Sequence, residues 1–306
     1  MPPSQRNDNP ATPLVSLIMV TYNSAALLPA CLEALAATRY PAYELLIVDN
    51  ASNDGTTVLV TEHAPQAQLV ANRENLGFGC ACNQGAQAAQ GALLVFLNPD
   101  VLVTPNWLTL LVEHIAAHPE AGIICPTTLY PGETPPPVHT LVGETAAVPG
   151  CALMIRRDAW QQLGGFDERY FLYWEDTDLC WRAWLAGWRV LEDFTALVYH
   201  ERGGSAGGRR WDAEATKNSL LTYLKTMRWR RVLPFSVALA LKTAAKIIRF
   251  RQPALLGAWA WNAHHLGETL AMRREIQRTR RIAPSTLEQH IAAHTARNQR
   301  ARRNRH

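Results

Sequence analysis

The segment Tyr173-Trp174-Glu175-Asp176-Thr177-Asp178-Leu179-Cys180-Trp181-Arg182 places three carboxylates within four positions, between two aromatic-rich arms. Carboxylates this close do not all ionise at ordinary cost. A neighbouring negative charge and apolar walls both disfavour the charged form, so one of the three is expected to carry a raised pKa. A carboxylate tuned that way is a good general base. Acidic residues in a first helical turn also complement the helix dipole, and that reading accounts for Glu175, Asp176 and Asp178 without chemistry.

The elements that must position this segment follow from apolar periodicity. Up to about residue 126, short apolar runs alternate with Ala-rich amphipathic stretches, the pattern of a mainly parallel α/β sheet with covering helices. The expected strands are Leu14–Val20, Tyr43–Asp49, Gln68–Ala71, Ala92–Leu97 and Gly122–Cys125. The expected helices are Ala25–Thr38, Thr56–His63, Gly79–Gln90 and Pro105–His118, the last opening on a proline that misses no amide donor. In such sheets ligands lie at the carboxyl ends of strands. That rule singles out Thr21-Tyr22-Asn23-Ser24, Asp49-Asn50-Ala51-Ser52-Asn53-Asp54-Gly55, Arg73-Glu74-Asn75-Leu76-Gly77 and Asn98-Pro99-Asp100. Each alone reads equally well as a connecting turn; four in succession would line one crevice. Pro126–Pro149 lacks periodicity and reads as a surface loop or lid. Cys151–Arg156 reads as a strand, Arg157–Leu163 as a short helix and Gly164-Gly165-Phe166-Asp167 as a turn.

The chain has 306 residues and a formal charge of +4, which hides a division. Residues 1–208 hold 9 Lys+Arg against 21 Asp+Glu, whereas residues 209–306 hold 21 against 5, giving −12 and +16. An acidic body suits a divalent-cation site; a basic extension suits anionic lipid, nucleic acid or an acidic partner. From Lys217 onward Arg and Lys interleave with Trp, Phe and Ile, as in an interfacial amphipathic segment, or as in helices packed on the body with a solvated basic face. The run Val232–Leu241 is short of the ~20 residues that span a bilayer. Six cysteines in no paired spacing point to reduced thiols and a cytoplasmic setting. Residues 1–13 read as a loose tail without a secretory signal, and 297–306 as a disordered basic tail.

Taken in order, Val20-Thr21-Tyr22-Asn23-Ser24, Val48-Asp49-Asn50-Ala51-Ser52-Asn53-Asp54-Gly55, Asn75-Leu76-Gly77-Phe78-Gly79, Leu97-Asn98-Pro99-Asp100, Gly164-Gly165-Phe166-Asp167-Glu168, Trp174-Glu175-Asp176-Thr177-Asp178-Leu179 and Val198-Tyr199-His200 resemble the family 2 glycosyltransferases, within them the bacterial rhamnosyltransferases. The resemblance covers about residues 14–205. It implies a GT-A fold over 14–208, with 14–126 as the nucleotide-sugar half and 127–208 as the acceptor half, followed by a basic helical extension over 209–296. It further implies an inverting transfer from a dTDP- or UDP-sugar, rhamnose among the donors, to a saccharide or lipid-linked saccharide at an anionic membrane surface, with Mn²⁺ or Mg²⁺ and no nucleic acid.

The implied roles fall on particular residues. Thr21, Asn23, Asp49 and Asn50 would bind the nucleoside, Asp49 accepting from a pyrimidine ring N–H. Asn75 and Gly77 would bring backbone close to the donor. Asn98 and Asp100 occupy the place of the DxD metal motif, with Asn98 replacing the first acid, so Asp100 and His200 are the expected cation ligands. Asp176 would be the base, with Glu175 tuning it; Tyr173, Trp174 and Asp178 would receive the acceptor.

Two other classes were weighed on the residues. Gly77-Phe78-Gly79-Cys80-Ala81-Cys82 has GxG, but Cys82 stands where a dinucleotide-binding turn needs glycine or alanine, and the run follows the third strand candidate. A nucleic-acid-binding protein rests only on the basic end and conflicts with the acidic body.

Overall fold

The computed structural model describes residues 12–135, 137–201 and 211–303. Most of the expected N-terminal tail and the expected boundary at 208/209 lie outside the described residues.

Four strands, β1 (Val15–Thr21), β2 (Tyr43–Asp49), β3 (Gln68–Ala71) and β4 (Leu93–Leu97), run parallel in the order β3-β2-β1-β4. Parallel neighbours need crossovers, supplied by α1 (Leu28–Ala36), α2 (Thr56–His63) and α3 (Phe78–Ala88). β1 is buried along its whole length, and its side chains alternate between two cores. Val15, Leu17 and Met19 pack with Leu28, Leu32 and Leu35 of α1, while Ile18 and Val20 pack with Ala81 and Cys82 of α3.

Beyond β4 the sheet becomes mixed. After β5 (Val101–Val103), α4 (Trp107–Ala117), β6 (Ala121–Leu129) and β7 (Val142–Glu144), strand β8 (Ala152–Arg156) inserts between β4 and β6, antiparallel to both. Then α5 (Arg157–Leu163) and α6 (Glu175–Leu185) lead to β9 (Arg189–His200), parallel to β6 and antiparallel to β5 and β7. Helix α4 opens at Trp107, not at Pro105, because Thr104 to Trp107 closes a turn first.

The stretch expected as a loop over 126–149 is partly strand. Thr127–Leu129 continue β6 against Leu197–Tyr199, β7 pairs with Leu191–Asp193, and Thr145, Ala146 and Val148 are buried. Its prolines interrupt periodicity at 131–137, which conceals these short paired pieces from a pattern reading.

The basic C-terminal part is five helices: α7 (Asp212–Thr226), α8 (Trp229–Phe250), α9 (Leu255–His264), α10 (Leu266–Thr279) and α11 (Pro284–Arg303). Leu220 and Leu224 of α7 and Leu287 of α11 join the core built on α6. Lys225, expected on a lipid-facing surface, is completely enclosed. Glu288 of α11 is salt-bridged to Arg228 and draws in Arg231 at 3.4 Å. The tail expected to be disordered from 297 continues α11 to Arg303, with Arg297 held 3.0 Å from Glu192; residues 304–306 lie outside the described set.

Candidate active site

The carboxyl ends of β1, β2, β3 and β4 share one edge of the sheet, and the turns leaving them are joined by hydrogen bonds. Thr21 Oγ1 donates to Asp49 Oδ1 at 2.7 Å, and Ser52 donates to both Asp49 oxygens, 2.6 Å from its hydroxyl and 2.9 Å from its N–H. Thr21 and Asp49 are buried, so they frame the crevice from behind. Asn23, exposed with φ 49°, accepts from the Asn53 N–H at 2.9 Å and donates its own N–H to Ser52. Asn50 donates to the Gly77 carbonyl at 3.1 Å, and Asn75 accepts the Gly77 N–H at 2.9 Å. Gly77 has φ 86°, and a Cβ there would lie 2.7 Å from the Phe171 carbonyl oxygen. This close approach seats the loop before α6 on the loop after β3, fixed also by the Phe78 N–H bonding Phe171 O at 2.8 Å.

At the end of β4, Asn98 uses its backbone N–H, which donates to Cys151 O at 2.9 Å. Two residues on, Asp100 Oδ1 is buried without an aligned hydrogen bond, although His200 Nε2 stands 3.2 Å away. The β5–β9 pairing of Val101 with His200 brings the two together. Burial opposes a charge on His200, yet its contacts with Asp100 and Cys151 outweigh that and push its pKa up to about 10. One unsatisfied carboxylate oxygen and one imidazole nitrogen would fit the implied divalent cation once the cation replaces the proton on His200. Among the described residues no cluster of three or more His, Cys, Asp or Glu could hold a metal by itself, so the remaining ligands would be oxygens of substrate or water.

The three clustered carboxylates separate in the structure. Helix α6 begins after Trp174, and 100° per residue sends Asp176 and Asp178 to different faces. Glu175 is buried with Oε2 unpartnered, and burial together with the charge of Asp176 raises its pKa to about 8. Asp176 is also raised, burial being the largest cause, but it accepts from the Thr177 N–H at 2.5 Å, the Thr177 hydroxyl at 3.1 Å and the Gly150 N–H at 2.9 Å. Hydrogen bonds to a carboxylate favour its ionised form, so of the pair Asp176 carries the charge and Glu175 the proton.

Asp178, expected to receive an acceptor, is fully enclosed. Lys225 Nζ lies 2.7 Å from its Oδ1, Arg182 Nε 2.7 Å from its Oδ2, and the Tyr170 hydroxyl 3.2 Å away. It has no face left for a ligand, because α7 packs over that side of α6.

One two-residue segment ties the two groups of residues together. The Gly150 N–H holds Asp176, while the carbonyl of the next residue, Cys151, holds Asn98, and the Cys151 thiol contacts His200. Asp176 is therefore linked through Gly150 and Cys151 to the strand ends that carry Asp100 and His200.

Several contributors carried no sequence signal. Tyr173 and Trp174, with φ 70° and 73°, join Asn23 and Ala51 as left-handed non-glycine residues around the crevice, a concentration of strain typical of functional sites. Asn218 of α7 sustains it, donating to the Leu172 and Tyr173 carbonyls at 2.9 and 2.8 Å. Trp174 packs edge-on to Trp181 and against Tyr223 of α7. Asn23, Tyr173 and Trp174 were expected at the site for their side chains, but only Asn23 is of a residue type that tolerates such φ values.

The raised Glu175 has a measurable consequence. The folded state holds this proton where the unfolded state has released it, so the associated stability is fully present below about pH 4.5 and is lost as pH rises through about 8. The unfolding free energy of Glu175→Gln, which stays neutral, should gain on wild type across that window by at most ~1.4 kcal/mol per pH unit, read as a diverging Tm. Parallel pH–Tm curves for the two proteins would contradict it.

Comparison with known proteins bears on this geometry. The family model described as Glycosyl transferase family 2 matches residues 16–193. The chain is 29% identical over 241 residues to the N-acetylglucosaminyl-diphospho-decaprenol L-rhamnosyltransferase of Mycobacterium tuberculosis, covering 64% of this chain and 78% of that protein. It is 30% identical over 251 residues to the O-antigen biosynthesis protein RfbC of Myxococcus xanthus, covering 71% of this chain and 19% of that protein. Among solved structures, S. aureus TarS 1–349 in complex with UDP-GlcNAc matches with a TM-score of 0.63 at 15% identity, over 94% of this chain and 92% of that one. The mannosyltransferase PcManGT from Pyrobaculum calidifontis, in complex with GDP-Man and Mn²⁺, matches with a TM-score of 0.59 at 20% identity, over 92% and 87%.

Proposed function

Since this chain belongs to glycosyl transferase family 2 and has a GT-A fold, we propose that it moves a sugar from a nucleotide-diphosphate donor to a hydroxyl of a saccharide or lipid-linked saccharide, inverting the anomeric carbon, in cell-surface polysaccharide synthesis. The observation that supports this reading most is the Gly150–Cys151 link, which joins the half-buried Asp176 carboxylate to the strand ends carrying Asp100, with its unpartnered Oδ1, and His200.

Asp49 takes a pyrimidine ring N–H with the acceptor capacity that Thr21 and Ser52 leave on it. Asn23, Asn50, Asn75 and Gly77 shape the walls around the nucleoside and diphosphate, with Asn98 contributing backbone. Asp100 and His200 would hold the cation, a mixed oxygen and nitrogen pair that suits Mn²⁺ better than Mg²⁺. When bound, the cation stabilises negative charge on the departing diphosphate. Asp176 removes the proton from the acceptor hydroxyl as its oxygen bonds to the anomeric carbon and the bond to the diphosphate breaks on the opposite face. Glu175 keeps its proton and so leaves the pair with one negative charge, on the residue that needs it. Tyr173 and Trp174 present ring faces for an acceptor sugar.

Rhamnose on a dTDP carrier is the leading donor, supported by the mycobacterial relative, whose name also points to a lipid-linked acceptor. No helix among the described residues is long and apolar enough to cross a membrane. A lipid-linked acceptor would bring the enzyme to the membrane as a peripheral protein, on the cytoplasmic face in this reading.

Calorimetric titration of dTDP-, UDP- and GDP-sugars with Mn²⁺ or EDTA tests this. One nucleotide class should bind at least ~10-fold more tightly with Mn²⁺, and Asp100→Ala and His200→Ala should each remove most of that gain. NMR of the product should show the inverted anomer. Metal-independent binding, or unchanged Mn²⁺ dependence in Asp100→Ala, would overturn the assignment of the cation ligands.

A further inference from the structure

Helix α8 leaves an apolar stripe uncovered. Of its residues only Val232 and Thr243 are buried, whereas Leu233 is 63% exposed, Leu241 69% and Ile248 81%. With Val237 these positions fall on one side of the helix, at spacings of four and seven. The opposite side faces the body, where Phe235 stacks on Tyr223 with ring centroids 3.6 Å apart. An amphipathic helix ordinarily turns its apolar side inward; α8 uses a small part for docking and directs Leu233, Val237, Leu241 and Ile248 to solvent.

Charge identifies what would cover them. From Trp229 to Gly267 the sequence has no acidic residue and six basic ones. Arg230 and Arg231 share Glu288 with Arg228, and Lys246 pairs with Asp212. Lys242 and Arg251 have no ion-pair partner among the described residues, and Arg249 only lies over the Phe250 ring. The outer surface is thus apolar along its crest and positive along its flank, over a helix of 22 residues, about 33 Å long. A flat, extended partner with negative charge at its surface and hydrocarbon just beneath has both complements: an anionic lipid leaflet.

We infer that the protein docks on anionic membrane through the Leu233–Val237–Leu241–Ile248 face of α8, lying in the interface plane. This rests on the proposed lipid-linked acceptor and deepens it. Behind α8 come Tyr223 and then Trp174, next to the carboxylates of α6. Docking in this way sets the reacting carboxylate off the leaflet by at least one helix thickness, about 10 Å, where the sugar of a lipid diphosphate stands clear of the headgroups.

Flotation of the full chain with phosphatidylcholine vesicles, with and without 30 mol% phosphatidylglycerol as the probe, tests the inference. At ~0.1 M salt, binding to the anionic vesicles should exceed binding to neutral ones by at least ~10-fold and weaken in high salt. Leu241→Glu/Ile248→Glu and, separately, Lys242→Glu/Arg249→Glu should each reduce it by at least ~10-fold, with Tm and Mn²⁺-dependent nucleotide binding unchanged. Equal binding to both vesicles, no binding, or wild-type binding by the Leu241→Glu/Ile248→Glu protein would overturn it. A dimer in solution that the same double variant dissolves, without vesicle binding, would assign the face to a second copy instead. Vesicle binding involves no sugar chemistry, so its failure leaves the transferase reading standing, and failure of nucleotide binding leaves the docking result intact.

Discussion

Asp176→Asn should abolish sugar transfer, lowering kcat by about 10²–10⁴-fold, the range lost when a positioned general base is removed, while donor binding stays within a few-fold of wild type. The amide is isosteric and keeps an oxygen for the Gly150 N–H, so the fold around the site is preserved. What disappears is the only ionised acceptor of the pair, since Glu175 retains its proton up to about pH 8. The variant also removes the charge that raises Glu175, so Glu175 should titrate at lower pH in it. Steady-state kinetics beside calorimetric nucleotide binding measures both halves. An Asp176→Asn protein with more than a tenth of wild-type turnover would remove this residue from the mechanism.

The second large effect is on folding. Lys225, with no exposed surface, stands 2.6 Å from Asp167 and 2.7 Å from Asp178, and both carboxylates are themselves enclosed. Burial disfavours charge on Asp167, but hydrogen bonds from Arg169 and the charge of Lys225 hold its pKa well below the usual carboxylate range. Removing one partner from a buried ionic group costs about 3–5 kcal/mol because the other charges stay behind. Lys225→Met should sit near the lower figure, since Arg169 and Arg182 remain, and lower Tm by roughly 5 °C. Adding Asp167→Asn should restore part of the loss by removing the stranded charge. A Lys225→Met protein melting within ~1 °C of wild type would show that α7 is not fastened through this lysine. The family match ends at residue 193, before α7, so this result would also show how far the helical extension belongs to the folded body.

The first four strands were readable because each is a short apolar run closed by a polar turn, and in β1, β2 and β4 burial on both faces leaves periodicity little room for error. The turns after them were readable for the same reason. The neighbours of β8 were not: an apolar run of five residues specifies a buried strand but not which strands flank it or in which direction. β5, with three residues, is below what any pattern can signal. The three carboxylates show the boundary most clearly. Their spacing announced a charge conflict, and Glu175 and Asp176 display it; the helical turn and Arg182 already draw Asp178 away, but its enclosure depends on Lys225, from a distant helix. The same applies to Tyr173 and Trp174, aromatic residues whose left-handed backbone depends on Asn218 holding the carbonyls of Leu172 and Tyr173.

The peptide at Gly150 gives the enzyme a fixed gauge. Gly150 and Cys151, whose Cα atoms stand about 3.8 Å apart, anchor the Asp176 side chain and the Asn98 backbone, so this junction is set by covalent geometry and needs no hinge to assemble it. Inserting or deleting a single residue there would break one of the two anchors. The exposed residues at 137–141, outside the sheet, are where this scaffold has room to vary in length.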